Sequence, residues 1–460
     1  MIQAMQYFKP QGNLFVGDCM PFFHEGTFHL FYLLDQGHHQ GRGGLGGHQW
    51  AHASTRDLIH WQHHPLALAL TEDWEGSICT GSVLHHGGLF HAFYATRKTD
   101  WTQHLSHAVS ADGLRFQKTT PNPFSSAPAG FSSLDYRDPF VFADGAGRFQ
   151  MLVTSRMERF PLHERGGCLL RLTSSDLSEW APAGPLLVPG GHASYACVPE
   201  CPDWFVWNGF HYLLFGLGLQ THYRLSRGPF GPWLRPALDT LDGTLAAVMK
   251  TARFGADRRI GACWVGPREG NKDAGRMLWG GQVVFRELIQ HEDGTLGTRL
   301  PPEMVPASGR HADPTFAALT PGASGGSGRV QLHARETQEV AALRDVPVNC
   351  RIRCRVVPEA GSRQFGLGLR GSGNYETKYD LAFEPSALRL ALARESLAPI
   401  QGLDRPFDLE VLLKDDLVDV CVGQRQCLIN RLPGLTGRSL FFFCQNGSVV
   451  FEALDVASLA

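Results

Sequence analysis

The feature that most constrains this chain is an internal repeat. A turn, a glycine and an aromatic-rich strand recur as "HEGTFHLFYLL" at His24, "HHGGLFHAFYATR" at His85 and "DGAGRFQMLVTSR" at Asp144. "WNGFHYLLFGL" at Trp207 and "DRRIGACWVG" at Asp257 continue the series. The interval is roughly fifty to sixty residues, the scale on which repeat architectures announce themselves. A second signal follows each strand: "HASTRDLIHW" ending at Trp61, "AVSADGLRF" at Phe116, "LTSSDLSEW" at Trp180 and "LSRGPFGPW" at Trp233. A strand carrying Ser or Thr, then an Asp or Gly turn, then an aromatic reads as strand, tight turn and next strand. Five copies of such a unit, with no helix-period stretch between them, predict radial repetition in a five-bladed β-propeller. On this reading Trp61, Trp180 and Trp233 pack between blades.

The rest of the sequence agrees with an all-β chain. Its 52 glycines and 28 prolines suit short strands and turns. Basic and acidic residues number 42 and 44, so no overall charge draws the chain to nucleic acid or anionic membrane. No apolar run approaches a membrane span, and "MIQAMQYFKPQGN" lacks the features of a secretory signal. Eleven dispersed cysteines read as reduced thiols of a cytoplasmic protein. Cys350 and Cys354, or Cys197 and Cys201, have no second close pair at zinc spacing, so buried thiols are expected and no metal.

Residues 1–305 are thus expected to form the propeller. Between 306 and 328 the sequence is rich in Pro, Gly, Ser and Ala, a linker by composition. Residues 329–460 alternate in short strand-like runs and predict a C-terminal β-sandwich that covers and stabilises the propeller.

Three acids precede aromatic-rich segments: Asp18 in "VGDCMPFF", Asp138 in "DYRDPFVF" and Glu200 in "ACVPECPDWF". Each has a proline within three residues, which stiffens the backbone beside it. A lone acid there is a turn residue, but three at a matching phase of the repeat point at one axis. Crowding raises at least one pKa, and a protonated and an ionised carboxyl together are the machinery of glycoside hydrolysis.

With those residues in view, the chain resembles glycoside hydrolase family 32, the invertases, levanases and inulinases. "GDCMPFFHEGTFHLFYL" looks like the family's first-blade Asn-Asp-Pro-Asn-Gly segment, "QWAHASTRDLIHW" like its Trp-Gly-His-Ala segment, and "CTGSVL" like Ser-Gly-Ser. "YRDPFVF" contains Arg-Asp-Pro, "PECPDWF" contains Glu-Cys, and "WGGQVVFREL" resembles the Arg-Glu-Leu strand. The resemblance implies Asp18 as nucleophile, Glu200 as general acid/base, Asp138 as transition-state stabiliser and Arg137 as the residue orienting the acids. It implies a propeller followed by a sandwich, retention through a covalent fructosyl-enzyme, carboxyls roughly 5–5.5 Å apart, a carbohydrate substrate and no cofactor. Departures fall at Gly17, at Cys19-Met20-Pro21, and at Leu33 or Leu34 where a substrate-contacting Gln often stands. They bear on substrate identity more than on reaction type.

Trp50, Trp74, Thr80, Ser82 and Trp264 are further candidates for sugar contact, through aromatic faces and hydroxyls. For Trp74 and Trp264 a core position is an equal alternative. "DQGHHQGRGGLGGHQWAH" carries four histidines, His38, His39, His48 and His52. Its glycine content opposes a rigid metal cage, so a loop on the pocket rim is expected, with its rings and Trp50 meeting the sugar. The activity read from this set is release of terminal β-D-fructofuranosyl groups. An inverting, family 43-like arabinofuranosidase or xylosidase and a sugar-binding propeller without turnover are the alternatives. The sequence leaves transfer versus hydrolysis, and self-association into a homo-oligomer, open.

Overall fold

The computed structural model describes residues 5–159, 166–189 and 198–459. Five blades surround a central axis. Their inner strands are Leu14–His24, Glu75–His86, Phe131–Ala143, Glu200–Trp207 and Ala247–Phe254. From each, antiparallel strands step outward; the first blade runs through Thr27–Gln36, Gln49–Thr55 and Trp61–Leu68. The fourth and fifth blades join through one pairing, Gln220 with Ala247, and the fourth blade's outer edge is reduced to bridges at Leu234 and Thr240. The ring closes where the N-terminal segment lies on the last blade. Tyr7 N donates to Val283 O, Val283 N to Phe8 O, and Val16 bridges Gly281.

The repeated Ser/Thr–Asp signal is a repeated turn. Thr55 Oγ1 accepts from Leu58 N at 2.9 Å, Ser110 Oγ from Gly113 N at 3.0 Å, and Ser174 Oγ from Leu177 N at 3.0 Å. Asp57, Asp112 and Asp176 each accept from the backbone two residues on, at 2.9 Å. The side chains thus satisfy N–H groups that a tight reversal leaves without sheet partners. The aromatic after each turn packs on the neighbouring blade, as expected. Trp61 meets Phe285, Phe116 meets Phe31 edge-on, Trp180 meets Phe93, and Trp233 joins the cluster of Phe142, Leu152 and Leu169. Such aromatic pairs contribute about 0.5–1.5 kcal/mol each beyond the apolar area they bury.

The C-terminal domain is built on one long strand, Ser439–Leu459. Residues 439–445 pair with Gln364–Ser372, while residues 449–458 pair with Cys350–Pro358, so the strand belongs to both layers. The segment 306–328 is not a linker. It supplies three short strands, Ser308–His311, Thr315–Ala318 and Ala323–Gly326, which pair with Ser439–Leu459 and Arg329–Arg344. Small residues permit close strand approach as readily as flexibility, and long neighbours with free edges decide the outcome.

This domain seals the fourth and fifth blades. Leu412, Leu417, Cys421 and Ile429 share a core with Tyr212, Leu241, Val284 and Leu288. Arg286, fully buried, forks onto Asp419 at 2.8 and 2.9 Å and reaches Asp242 at 2.9 Å; Tyr7 also donates to Asp419. The ten cysteines among the described residues are all free and buried, and Cys350 and Cys354 lie in the sandwich core. Cys197 lies outside the described residues. No described helix is long and apolar enough to cross a membrane.

Candidate active site

Each inner strand carries a β-bulge at the same height. The bulged pairs are Gly17-Asp18, Cys79-Thr80, Asp138-Pro139, Cys201-Pro202 and Val248-Met249, each opposite a single residue of the next strand. Asp138, Cys201 and Val248, first in their bulges, have φ of 55°, 51° and 43°. A bulge breaks the alternation of a strand and re-aims side chains, here toward the axis. Two of the second positions are prolines, which need no ladder partner for a missing N–H.

The three acids are therefore not strictly symmetry-related. Glu200 directly precedes its bulge, Asp138 is the first residue of its own and Asp18 the second. This one-residue stagger corrects the expected equivalence and lets three carboxyls share a mouth from different directions. They line a cavity of about 210 Å³ with Arg137, Thr80 and Cys201.

Asp18 accepts at both oxygens, from Trp264 Nε1 at 2.9 Å and from Thr80 Oγ1 at 2.6 Å. That is the bonding pattern of an ionised carboxylate. Asp138 is buried, and its partners gather on Oδ2: Cys201 N at 3.0 Å and Thr154 Oγ1 at 3.2 Å. Arg137 donates to Glu200 Oε1 at 2.8 Å, to Asp135 at 2.9 Å and to Gln103 at 3.2 Å. Burial pushes the Glu200 carboxyl above its ordinary value; Arg137 opposes this, and Asp138 and Asp18 add to it. Burial likewise raises Asp138, against Arg137. The buried Lys250 ties two bulges together through Gly81 O at 3.0 Å and Pro202 O at 2.9 Å, and its charge faces Asp138 and Asp18.

Of the expected sugar contacts, Thr80 and Arg137 line the cavity. Trp264 is buried and acts through its bond to Asp18 rather than as a wall. Trp50 does not meet a sugar: it is fully buried, and its indole N–H donates to Cys79 O at 2.9 Å. Ser82 joins two blades, donating to Pro139 O and accepting from Val141 N, both at 3.0 Å. Trp74, half-buried at the start of the second inner strand, is outside the lining. The rim tryptophan is instead Trp279, at the start of the "WGGQVVFREL" segment, whose motif residues alone do not point to it. It lies over Gly17, where an added Cβ would sit 2.3 Å from the indole. Gly17 is therefore the residue that this lid demands. Leu33 lines the cavity too, so an apolar group stands where a Gln was anticipated.

The histidine loop divides. His39 and His48 reach the cavity, His38 bonds Trp279 O at 2.9 Å, and His52 is buried against His29. Donor atoms of Asp35, His39 and His48 lie within 4.8 Å of one another. Arg97 Nη1, however, donates to His39 Nε2 at 2.9 Å, which puts the ring proton on Nδ1 and a fixed cation beside the group. These residues fit a charge-balanced network better than a metal cage.

The profile of the N-terminal domain of glycosyl hydrolases family 32 matches residues 7–225, which include all three acids. That stretch is a glycoside hydrolase family 32 N-terminal domain. Sucrose-6-phosphate hydrolase of Escherichia coli is 26% identical over 295 residues, 58% of this chain and 58% of that protein. Raffinose invertase of Escherichia coli is 25% identical over 302 residues, 60% and 59% of the two chains. These matches span less than two thirds of either relative's length. Likeness in fold extends over the whole chain. Fructan 1-exohydrolase IIa from Cichorium intybus superposes with a TM-score of 0.74 at 17% identity, covering 100% of this chain and 97% of that one.

Proposed function

We propose that this chain is a retaining family 32 glycoside hydrolase that releases terminal β-D-fructofuranosyl groups. The observation that carries the reading is the division of labour in one small cavity. Asp18 is held as a hydrogen-bond acceptor by Trp264 and Thr80, while the Glu200 carboxyl is pushed up by burial. Asp18 attacks the anomeric carbon as Glu200 protonates the leaving oxygen, and the glycosidic bond breaks. Glu200, now ionised, takes a proton from water, which displaces Asp18 with net retention. Asp138 has Oδ1 to offer the sugar hydroxyls, and Arg137 sets the Glu200 carboxyl.

About 210 Å³ is below the roughly 300–1,000 Å³ of sites that take drug-sized ligands, a volume suited to one terminal sugar ring. The relatives' names agree in substrate chemistry: a sucrose-6-phosphate hydrolase, a raffinose invertase and a levanase. The test is proton NMR of the first product formed from sucrose and 1-kestose. Initial β-fructofuranose supports the reading, and initial inversion overturns it. So does undiminished turnover in Asp18→Asn and Glu200→Gln.

A further inference from the structure

One group in the cavity has no part in that chemistry. Cys79 is the first bulge residue of the second blade, the counterpart of Asp138 and Cys201, and it lines the same cavity. Its backbone is pinned by Trp50. Beside it lies a second, entirely buried relay. His48 Nε2 donates to Asp35 Oδ1 at 3.0 Å, and the imidazole stacks on Trp279 with centroids 4.6 Å apart. With Nε2 as donor, Nδ1 carries the lone pair, and that atom is buried without a hydrogen-bond partner. Backbone contacts set Cys79 beside this ring: Ile78 N donates to His48 O at 3.0 Å and His48 N to Ser77 Oγ at 3.0 Å, while the thiol itself donates to Ser77 O at 3.9 Å. A base oriented by a carboxylate and set beside a thiol is the arrangement that activates nucleophilic cysteines.

We propose that Cys79 is a modification site: a nucleophilic thiol, served by His48 and Asp35, that captures small electrophiles and peroxides inside the sugar cavity and thereby shuts substrate out.

The electrostatic surroundings separate it from its neighbours. Burial alone would raise the Cys79 pKa, but the Arg97 guanidinium and the His48 ring outweigh burial and hold it below the ordinary value. Arg97 is itself fixed, donating to His39 Nε2 at 2.9 Å and Leu45 O at 2.8 Å. Cys201 is the internal contrast. It lines the same cavity, yet its sulfur lies 3.6 Å from Asp18 and 3.7 Å from Asp138. Burial and those carboxylates push its pKa well up. Reactivity follows thiolate character and access, so the two cavity thiols should differ sharply. Asp18, Asp138, Glu200 and Arg137 line the same cavity, but the carboxylates act on Cys201 while Arg97 and His48 act on Cys79, and that division is the source of the contrast.

With a peroxide, the thiol proton passes to His48 Nδ1 and sulfur attacks one peroxide oxygen. The S–O bond forms as the O–O bond breaks, sulfur is oxidised by two electrons, and the leaving hydroxide recovers the proton from His48 as water. With iodoacetamide, an S–C bond replaces C–I and iodide leaves. Either product stands next to Thr80, the donor to Asp18.

The experiment treats the full chain with hydrogen peroxide plus dimedone, or with iodoacetamide, and maps adducts by peptide mass spectrometry. One adduct on Cys79 is expected, formed with a pH midpoint below the free-thiol value of about 8.5. It should be slowed at least tenfold by fructose, absent in Cys79→Ser, retained in Cys201→Ser, and slowed in a folded His48→Gln. Labelling of Cys201 instead, labelling only after unfolding, or an unchanged rate in His48→Gln overturns the proposal. The mass readout does not depend on the fructosidase reading. If Cys79 is capped and fructoside turnover persists, only the claim that capping shuts out substrate falls; if the untreated chain turns over no fructoside, the functional reading fails and the adduct still decides this one.

Discussion

Arg137 should set the alkaline limit of catalysis. Its guanidinium donates to Glu200 at 2.8 Å, with its Nε 3.7 Å from Asp138. In Arg137→Met its other partners are not abandoned. Asp135 keeps Arg156 at 3.0 Å, and Gln103 keeps the Tyr136 amide at 3.2 Å. The loss therefore falls on Glu200 and Asp138. A hydrogen bond to a charged group contributes about 1.5–3 kcal/mol, which at 1.36 kcal/mol per pH unit is about one to two units. The sign is fixed by Arg137 opposing the rise of Glu200. Without it the carboxyl stays protonated to higher pH, and the alkaline limb of kcat/KM on sucrose moves up by about one to two units. The maximal rate falls because Glu200 loses its orientation. Arg137→Lys, a point charge without the fork, should restore part of the limb and little of the rate. A limb that stays in place or moves down in Arg137→Met, with an unaltered melting temperature, refutes this account of the proton donor.

Three other expectations follow from the same geometry. Glu200→Gln should lower kcat by about 10²–10⁴ on sucrose, with less loss on an activated aryl fructoside that needs no leaving-group proton. Asp419→Ala takes from the buried Arg286 the carboxylate its fork grips, leaving it Asp242, and should cost up to about 3–5 kcal/mol in urea unfolding, where a surface control such as Asp404→Ala should cost almost nothing. His29 and His52, bonded at 3.0 Å, have pKa values lowered by burial to about 4 and about 2. Because the unfolded chain takes up those protons first, stability should fall as pH drops from 6.5 toward 4, and His52→Gln should flatten the decline in melting temperature.

What the sequence disclosed was whatever is local. Strand, turn and inter-blade aromatic repeat within a single unit, so the blades and the packing of Trp61, Trp180 and Trp233 could be read directly. The acids were legible because each sits in a short motif of its own. Their one-residue stagger was not, since a bulge is defined only by the partner strand it faces. Trp50 and Ser82 were misread for a related reason. Ser82 stands two residues past a bulge and Trp50 beside a register shift, where a side chain can point either way, and the pleat sends both into the blade packing. Donors that hold Asp18 lie 62 and 246 residues away, and Lys250 reaches Gly81 across 169. Such contacts exist only once the ring has closed, and no period in the sequence records them.

The altered setting of Asp18 then has a physical reading. Gly17 makes room for Trp279, Met20 Sδ receives the Gly81 amide at 3.2 Å, and Cys19 is buried behind the strand. These changes belong to packing and leave both Asp18 oxygens with their donors. Where the cavity itself differs, at Leu33, an apolar side chain lines it, and Trp279 lines it as well. Rejection of an analogue lacking a hydroxyl is strong only where a buried polar group would be left unpaired. Discrimination by hydroxyls then falls to the polar lining, Asp138 and Arg137 with His39, His48 and Arg97, while Leu33 and Trp279 select by fit.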